Sequence, residues 1–494
     1  MKLWLFLFAT LCLCIPITTA QAKFIQFSYR THLKGARVYY DQQQFTKVIN
    51  RIIKSHNKSA EVSVYIKSLN TGEAVYKRNI YLPMIPASTL KIFTAEAALL
   101  FLGTDYRFST QLLTDAKSIR NGVLQGNLYI VLTGDPTLTF NDLVNLLMTL
   151  KTKHISAIAG NVYIDHFAYD QQFFGPGWDI KDRRYCYSAP ISASIINHNC
   201  LIFKITPGKK IGRNAAVITA NNYYYPNIKS LVMTKNAKAK TCSLHLTTLP
   251  ANVIQVDGCM PKGPYAWGVA YVINNVSAYN KDLFKNLLRQ LSIQVSGLIT
   301  FGQAPTQATF MAHHASKPLK SLIINMLKKS DNIIAGALFK KVGQLYNKQP
   351  GSWENASYAV SQILSKQAGV NMAGMRLLDG SGLSANNLTT SSQLMQTLYF
   401  AFHHYATNYE FISALPVAGV DGTLKNRMSN IARKVRAKTG TISGVVTLAG
   451  YAMSADREPF AFVIMINGHK NLTHQYRSME DQIATAITHF HRGD

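Results

Sequence analysis

The pattern of the chain changes character twice, and this limits how it can fold. Near its start, a helical stretch, Phe45–Ile53, is followed by EVSVYIKSL and AVYKRN, which alternate like two antiparallel strands around Asn70-Thr71-Gly72. These lead into PASTLKIFTAEAALLFLG, a helical run from Pro86 to Gly103. From about Tyr106 short alternating runs take over: YRFSTQLLTD, GNLYIVLTGDP and GNVYIDHF, with one helical run at Asn141–Leu150. Helical patterns return at DLFKNLLRQL and PLKSLIINMLKKSDNIIAGALFKKVG. The chain closes with strands in KVRAKTGTISGVVTLAGYAM and PFAFVIMING, then an amphipathic helix from about Tyr476. Strands and helices at both ends, with a β-rich middle, predict an α+β domain split by an insertion. A length of 494 residues also exceeds one ordinary core. We expect residues 23–93 and 290–494 to form the split domain and 94–289 the mostly β insertion.

The N-terminus reads as a signal peptide over residues 1–22. Lys2 precedes a short apolar run, then Pro16 and Ala20-Gln21-Ala22. Cys12 and Cys14 would leave with it. Cys186, Cys200, Cys242 and Cys259 would remain, and four cysteines allow three pairings. The two local pairs would close loops of roughly 15 residues, worth about 3 kcal/mol each in the loop-entropy view. No Cys-x-x-Cys or His-x-x-x-His pair suggests a metal site, and no metal or cofactor is expected. The net charge of +28 favours anionic surroundings such as acidic lipid headgroups or an anionic wall polymer. The cations are spread along the chain without a nucleic-acid motif, so nucleic acid is not an expected partner.

Three short motifs stand in order: Ser88-Thr89-Leu90-Lys91, Ser330-Asp331-Asn332 and Lys438-Thr439-Gly440. Each alone is weak, and a second Ser-x-x-Lys occurs at Ser55–Lys58. Their order and context, helix then interhelical loop then strand, make a stronger signal. Residues i and i+3 share a helix face, so Lys91 can reach the Ser88 hydroxyl. A serine needs a base to become a nucleophile. A lysine becomes one when burial or a second cation, here Lys438, lowers its pKa. The expected roles are Ser88 as nucleophile, Lys91 as base and Ser330 as proton relay. Asn332 would bind the substrate backbone, and Lys438 and Thr439 a terminal carboxylate. Gly440 would allow close approach. The N–H groups of Ser88 and Thr441 would form the oxyanion hole.

With these motifs the sequence resembles the class C low-molecular-mass penicillin-binding proteins, the D-alanyl-D-alanine carboxypeptidase/endopeptidases of bacterial cell walls. LLDGSGLSANNL, LPVAGVDGTLKNR, LTGDPTLT and PGWDIKDRRYCYSAPISASIINHNC add to the likeness, as does the gap of about 240 residues between Ser88 and Ser330. The resemblance implies a β-lactamase-like peptidase domain carrying a two-part insertion, about 94–119 with 194–289, and 120–193. It implies action on peptidoglycan stem peptides through an acyl-enzyme, acylation by β-lactams, a periplasmic location and the disulfides Cys186–Cys200 and Cys242–Cys259. It also implies that Asp182 and Tyr187 belong to a pocket for the diaminopimelate side chain. Two partners of that pocket, an Arg and a Gln in some members, are here Ala385 and Ser443. A salt bridge to the diaminopimelate carboxylate is therefore expected to be missing.

The Gly-rich turns Asp379–Ser384 and Val420–Thr423 are read as active-site wall and match no phosphate loop. His313–His314 and His403–His404 are read as solvated, and Tyr223–Tyr225 as strand packing. The alternatives are a serine β-lactamase, or a catalytically silent wall-binding or β-lactam-sensing protein.

Overall fold

Alternation along three late strands and two early ones builds the central sheet. The computed structural model describes residues 40–56, 59–220, 223–239, 241–250, 253–468 and 472–492. The expected signal peptide lies outside them. The sheet is antiparallel, in the order Val435–Ile442, Val445–Met453, Pro459–Asn467, Glu61–Ser68, Ala74–Arg78. An early strand, Glu61–Ser68, and a late one, Pro459–Asn467, thus lie side by side. In the central strand Phe460, Phe462, Ile464 and Ile466 face one core, and Ala461, Val463 and Met465 face another. This period of two buries both faces.

The helices in chain order are α1 (Gln42–His56), α2 (Lys91–Leu102), α3 (Phe140–Thr152), α4 (Val276–Gln290), α5 (Leu319–Lys329), α6 (Asn332–Asn347), α7 (Trp353–Ala368), α8 (Ser391–His403), α9 (Asn408–Ala414) and α10 (Thr473–Thr488). One sheet face packs on α1 and α10. Phe45, Ile49 and Ile53, four residues apart on α1, are buried there, each worth about 1.5–3 kcal/mol. The other face packs on α2 and α5–α9.

The chain leaves this core after Phe108, touches it again within the insertion, and returns to it fully at Leu319. The expected edges at 93/94 and 289/290 need correction. Residue 94 lies inside α2, whose buried Ala95, Ala97, Ala98 and Leu99 belong to the peptidase-side core. The strand Thr309–Ala315 pairs with Ser109–Thr114 in the insertion. The internal division also differs from expectation. Ser109–Thr114 pairs with Leu128–Val131, in a sheet with Val162–Asp165 and Ile299–Phe301. It does not join the strands at 200–272, which form two further sheets. Between them, residues 169–196 fold back onto the first core through Trp178, Ala189, Ile191 and Ile195.

Both local disulfides form, Cys186–Cys200 and Cys242–Cys259, with Cα atoms 5.6 and 4.9 Å apart. Tyr223–Tyr225 packs against the insertion core but lies outside any strand. The histidine pairs are not simply solvated. His314 stands between Asp135 and Asp142 at 3.9 and 3.8 Å, and His403 contacts the Leu69 and Tyr399 carbonyls.

Candidate active site

Ser88 lies on a 3-10 turn, Ala87–Leu90, that runs directly into α2. Ala87, just before it, is held at φ +46°, a conformation L-residues seldom adopt. The turn leaves Ser88 partly exposed over a fully buried Lys91. Lys91 Nζ donates to Ser88 Oγ at 3.0 Å, to Asn332 Oδ1 at 2.6 Å and to the Ser381 carbonyl at 2.6 Å.

The second motif sits where α5 ends and α6 begins. Ser330 caps α5 in the left-handed region, at φ +58°. Asp331 caps α6, accepting from the Ile333 and Ile334 N–H groups at 2.9 Å, a contact worth about 1 kcal/mol. The third motif lies on the edge strand. Lys438 Nζ donates to Ser330 Oγ at 2.9 Å and to the Thr439 carbonyl at 2.7 Å. Thr439 and Thr423 hydroxyls lie 2.8 Å apart. A Cβ on Gly440 would come within 2.1 Å of Thr447 Oγ1 and 3.0 Å of the Ser88 nitrogen. The edge strand therefore presses against the Ser88 turn.

Burial dominates the charge balance. It lowers the Lys91 pKa to about 7, against the opposing pull of Asp379 and Asp331. It also lowers Lys438 well below the ordinary lysine value, and the Lys91 charge lowers it further. The repulsion is mutual, so each lysine disfavours the charged form of the other. A neutral Lys91 keeps two N–H groups. The Asn332 and Ser381 oxygens can accept them, which turns the nitrogen lone pair toward Ser88.

The Asp379–Ser384 turn supplies the wall beneath Lys91. The buried Asp379 carboxylate accepts from the N–H groups of Ser381, Gly382 and Ser384, from Asn387 and from the Trp178 indole. Gly382, at φ +77°, lies so close to Ala87 that a Cβ would fall 1.8 Å from its carbonyl oxygen. Motif reading did not assign Asp379, Trp178 or Gly382 individually.

The insertion reaches the same place. Asn332 Nδ2 donates to the Tyr187 carbonyl at 2.9 Å. The exposed Tyr187 hydroxyl donates to Asp182 Oδ1 at 2.8 Å, and burial and that carboxylate push its pKa up to about 12. Ala385 and Ser443 are exposed. Among the described residues, no group of three or more His, Cys, Asp or Glu is placed to hold a metal ion.

A serine against a buried lysine, a second serine held by a second lysine, and a strand edge left open beyond Ala437 are parts that serine acyl transfer can use. The chain belongs to the D-Ala-D-Ala carboxypeptidase 3 (S13) family, which it matches over residues 45–489, and it is a peptidase hydrolase. It is 34% identical to D-alanyl-D-alanine carboxypeptidase DacB of Haemophilus influenzae over 83% of this chain and 86% of that protein. It is 32% identical to a D-alanyl-D-alanine carboxypeptidase of Actinomadura sp. strain R39, over 83% and 78%. The crystal structure of penicillin binding protein 4 (dacB) from Haemophilus influenzae superposes with a TM-score of 0.79 at 33% identity, covering 88% of this chain and 97% of that one. The same protein complexed with a β-lactam gives a TM-score of 0.74 at 31% identity, covering 89% and 99%.

Proposed function

We propose that this protein is a serine D-Ala-D-Ala carboxypeptidase and DD-endopeptidase acting on peptidoglycan stem peptides, with Ser88 as the nucleophile. The contact of Lys91 Nζ with Ser88 Oγ, inside a site that lowers the lysine pKa, carries this reading. Neutral Lys91 takes the Ser88 proton as Oγ attacks the carbonyl carbon of the penultimate D-Ala. The oxyanion is met by the Ser88 and Thr441 N–H groups. The C–N bond then breaks, and the proton passes from Lys91 through Ser330 to the leaving amine. Lys438 orients Ser330 in this step. Water, activated by the restored Lys91, hydrolyses the ester. Asn332 binds the peptide backbone, Lys438 and Thr439 hold the terminal carboxylate, and Gly440 lets the substrate lie close. In endopeptidase mode the leaving group is the side-chain amine of a neighbouring stem, with Asp182 and Tyr187 facing the diaminopimelate end.

The expected setting is the periplasm after removal of residues 1–22. Among the described residues, no helix is long and apolar enough to cross a membrane. The +28 charge supports peripheral contact with anionic lipid or wall polymer. We further propose that the split domain around the five-stranded sheet is the peptidase unit and that the insertion shapes its substrate side.

The test follows intact mass and free drug after mixing with benzylpenicillin, and D-Ala release from a stem-peptide mimic. A lasting adduct on Ser88 together with D-Ala release supports the reading. Rapid drug loss without an adduct would make the protein a β-lactamase. Neither adduct nor turnover would leave a silent binding protein.

A further inference from the structure

Toward the end of the sheet away from Val435–Ile442, a cavity of about 450 Å³ opens between the strand Glu61–Ser68 and α8. Its lining includes Tyr65, Lys67, Tyr81, Gln396, Tyr399 and Phe400. Glu61–Ser68 stands three strand spacings from the edge strand, roughly 14 Å. Ser63, Tyr65 and Lys67 alternate onto the strand face that meets α8, where the Ser63 and Ser391 hydroxyls lie 2.7 Å apart. Lys67 Nζ lies 4.1 Å from the centre of the Tyr399 ring. Lys77 pairs with Tyr65 across the ladder and so shares that face.

Tyr81 supplies an open ring. It is 76% exposed, on a turn that is held in place. The Leu82 N–H reaches the Asn79 carbonyl and the Ser392 N–H reaches the Ile80 carbonyl, both at 3.0 Å. An aromatic ring offered to water on a fixed backbone is a ready stacking surface, since little freedom is lost when a ligand covers it.

The cavity is also positive. Burial and the neighbouring Lys77 charge both lower the Lys67 pKa. Among the described residues neither lysine forms an ion pair, and Glu73, on the turn joining the two strands, is held by Arg492 at 2.8 Å. A fitting ligand brings a flat apolar face for the rings and an anion for the lysines. Sugar rings have such a face in their C–H groups, and the hydroxyls at their rim suit phenols and an amide. We infer that this cavity binds an anionic amino sugar of the wall polymer, with Tyr81 stacking on the ring and Lys67 and Lys77 meeting the carboxylates of its stem peptide. This rests on the proposed peptidoglycan function and adds to it a hold on the strand away from the reacting bond.

The experiment measures binding by titration calorimetry, with Ser88 blocked by benzylpenicillin. The probes are N-acetylglucosaminyl-N-acetylmuramyl-tripeptide, the free tripeptide and chitobiose. The disaccharide tripeptide should bind about tenfold more tightly than either part alone. Tyr81→Ala should weaken it about tenfold, the worth of one covered aromatic ring, and Tyr81→Phe should restore it. Lys67→Ala should weaken the disaccharide tripeptide and leave chitobiose unchanged. With Tyr81→Ala, D-Ala release from diacetyl-Lys-D-Ala-D-Ala should stay within about twofold of wild type, whereas release from intact sacculi should fall. Equal binding of the free tripeptide would overturn the sugar contact, and equal binding of chitobiose the anionic one. No binding, or binding indifferent to Tyr81, would overturn the site. A wild type that releases no D-Ala and takes no penicillin adduct would instead refute the underlying function, so the two failures are told apart.

Discussion

Asn332 bridges Lys91 and Tyr187: its Oδ1 accepts from the lysine at 2.6 Å, and its Nδ2 donates to the tyrosine carbonyl at 2.9 Å. One amide thus ties the base to the inserted region. An Asn332→Asp variant keeps the acceptor but brings a negative charge beside Lys91 and loses the donor. It should raise the Lys91 pKa and move the acid limb of the kcat/KM profile upward, with a loss of about 100-fold at neutral pH. A pH profile measured on a stem-peptide mimic reads both effects.

The wild-type profile itself follows from Lys91. Its pKa is lowered to about 7, and in the proposed mechanism its neutral form is the base. Acylation should therefore rise as pH increases through about 7 and level off above it. Asp379 pulls the Lys91 pKa upward, so Asp379→Asn should shift this limb to lower pH. It should also weaken the fold, because the three backbone N–H groups and the indole would face a poorer acceptor. Stopped-flow penicillin acylation across pH 5–9, a range chosen to bracket that midpoint, measures the shift. A flat profile would remove Lys91 from the base role.

Ser88→Ala should bind benzylpenicillin without forming any covalent adduct by intact mass. Nothing else in the site should take its place, because Lys91 reaches only this hydroxyl and two fixed oxygens. An adduct persisting on the variant would mean that the nucleophile lies elsewhere.

Gly382→Ala should cost about 2–3 kcal/mol of stability and most of the acylation rate. Its Cβ has no room beside the Ala87 carbonyl, and its backbone sits at φ +77°. The only relief is to push the Ser88 turn away. A lowered melting temperature with slowed penicillin acylation is the expected pair of results. Normal acylation would show that the turn yields freely.

Much of this site could be read in the chain because its three motifs are local. Ser88 and Lys91 are three residues apart, and Lys438 and Gly440 two. A helix or strand then places each set without long-range information. What could not be read depends on meetings between distant segments. The 109–114 strand shows alternation but not that its partner lies at 309–315. Gly382 looks like one more glycine of a turn until Ala87 arrives beside it. Resemblance points to Tyr187 as a pocket residue, but not to the contact of its carbonyl with Asn332. Arg477 lies in an amphipathic helix whose pattern marks a solvent face, and only the fold sets it against Thr441. α2 is apolar on nearly every side and so belongs wholly to one core, which a change of pattern along the chain does not show.

Val435–Ile442 is the last strand of its sheet, and the site lies along it. Most proteins guard such an edge, since any extended chain can add to it. Here Pro416–Ala418 cover the first half of it, with the Ala418 N–H on the Val435 carbonyl and the Ala437 N–H on the Pro416 carbonyl, both at 3.0 Å, and on the proposed function an extended substrate would add along the rest. Recognition then depends on backbone shape before it depends on side chains. An extended peptide with the right C-terminus should dock even when its scissile bond cannot be cut. Uncleavable stem-peptide strands, and not only β-lactam rings, are therefore a rational starting point for inhibitors of this enzyme.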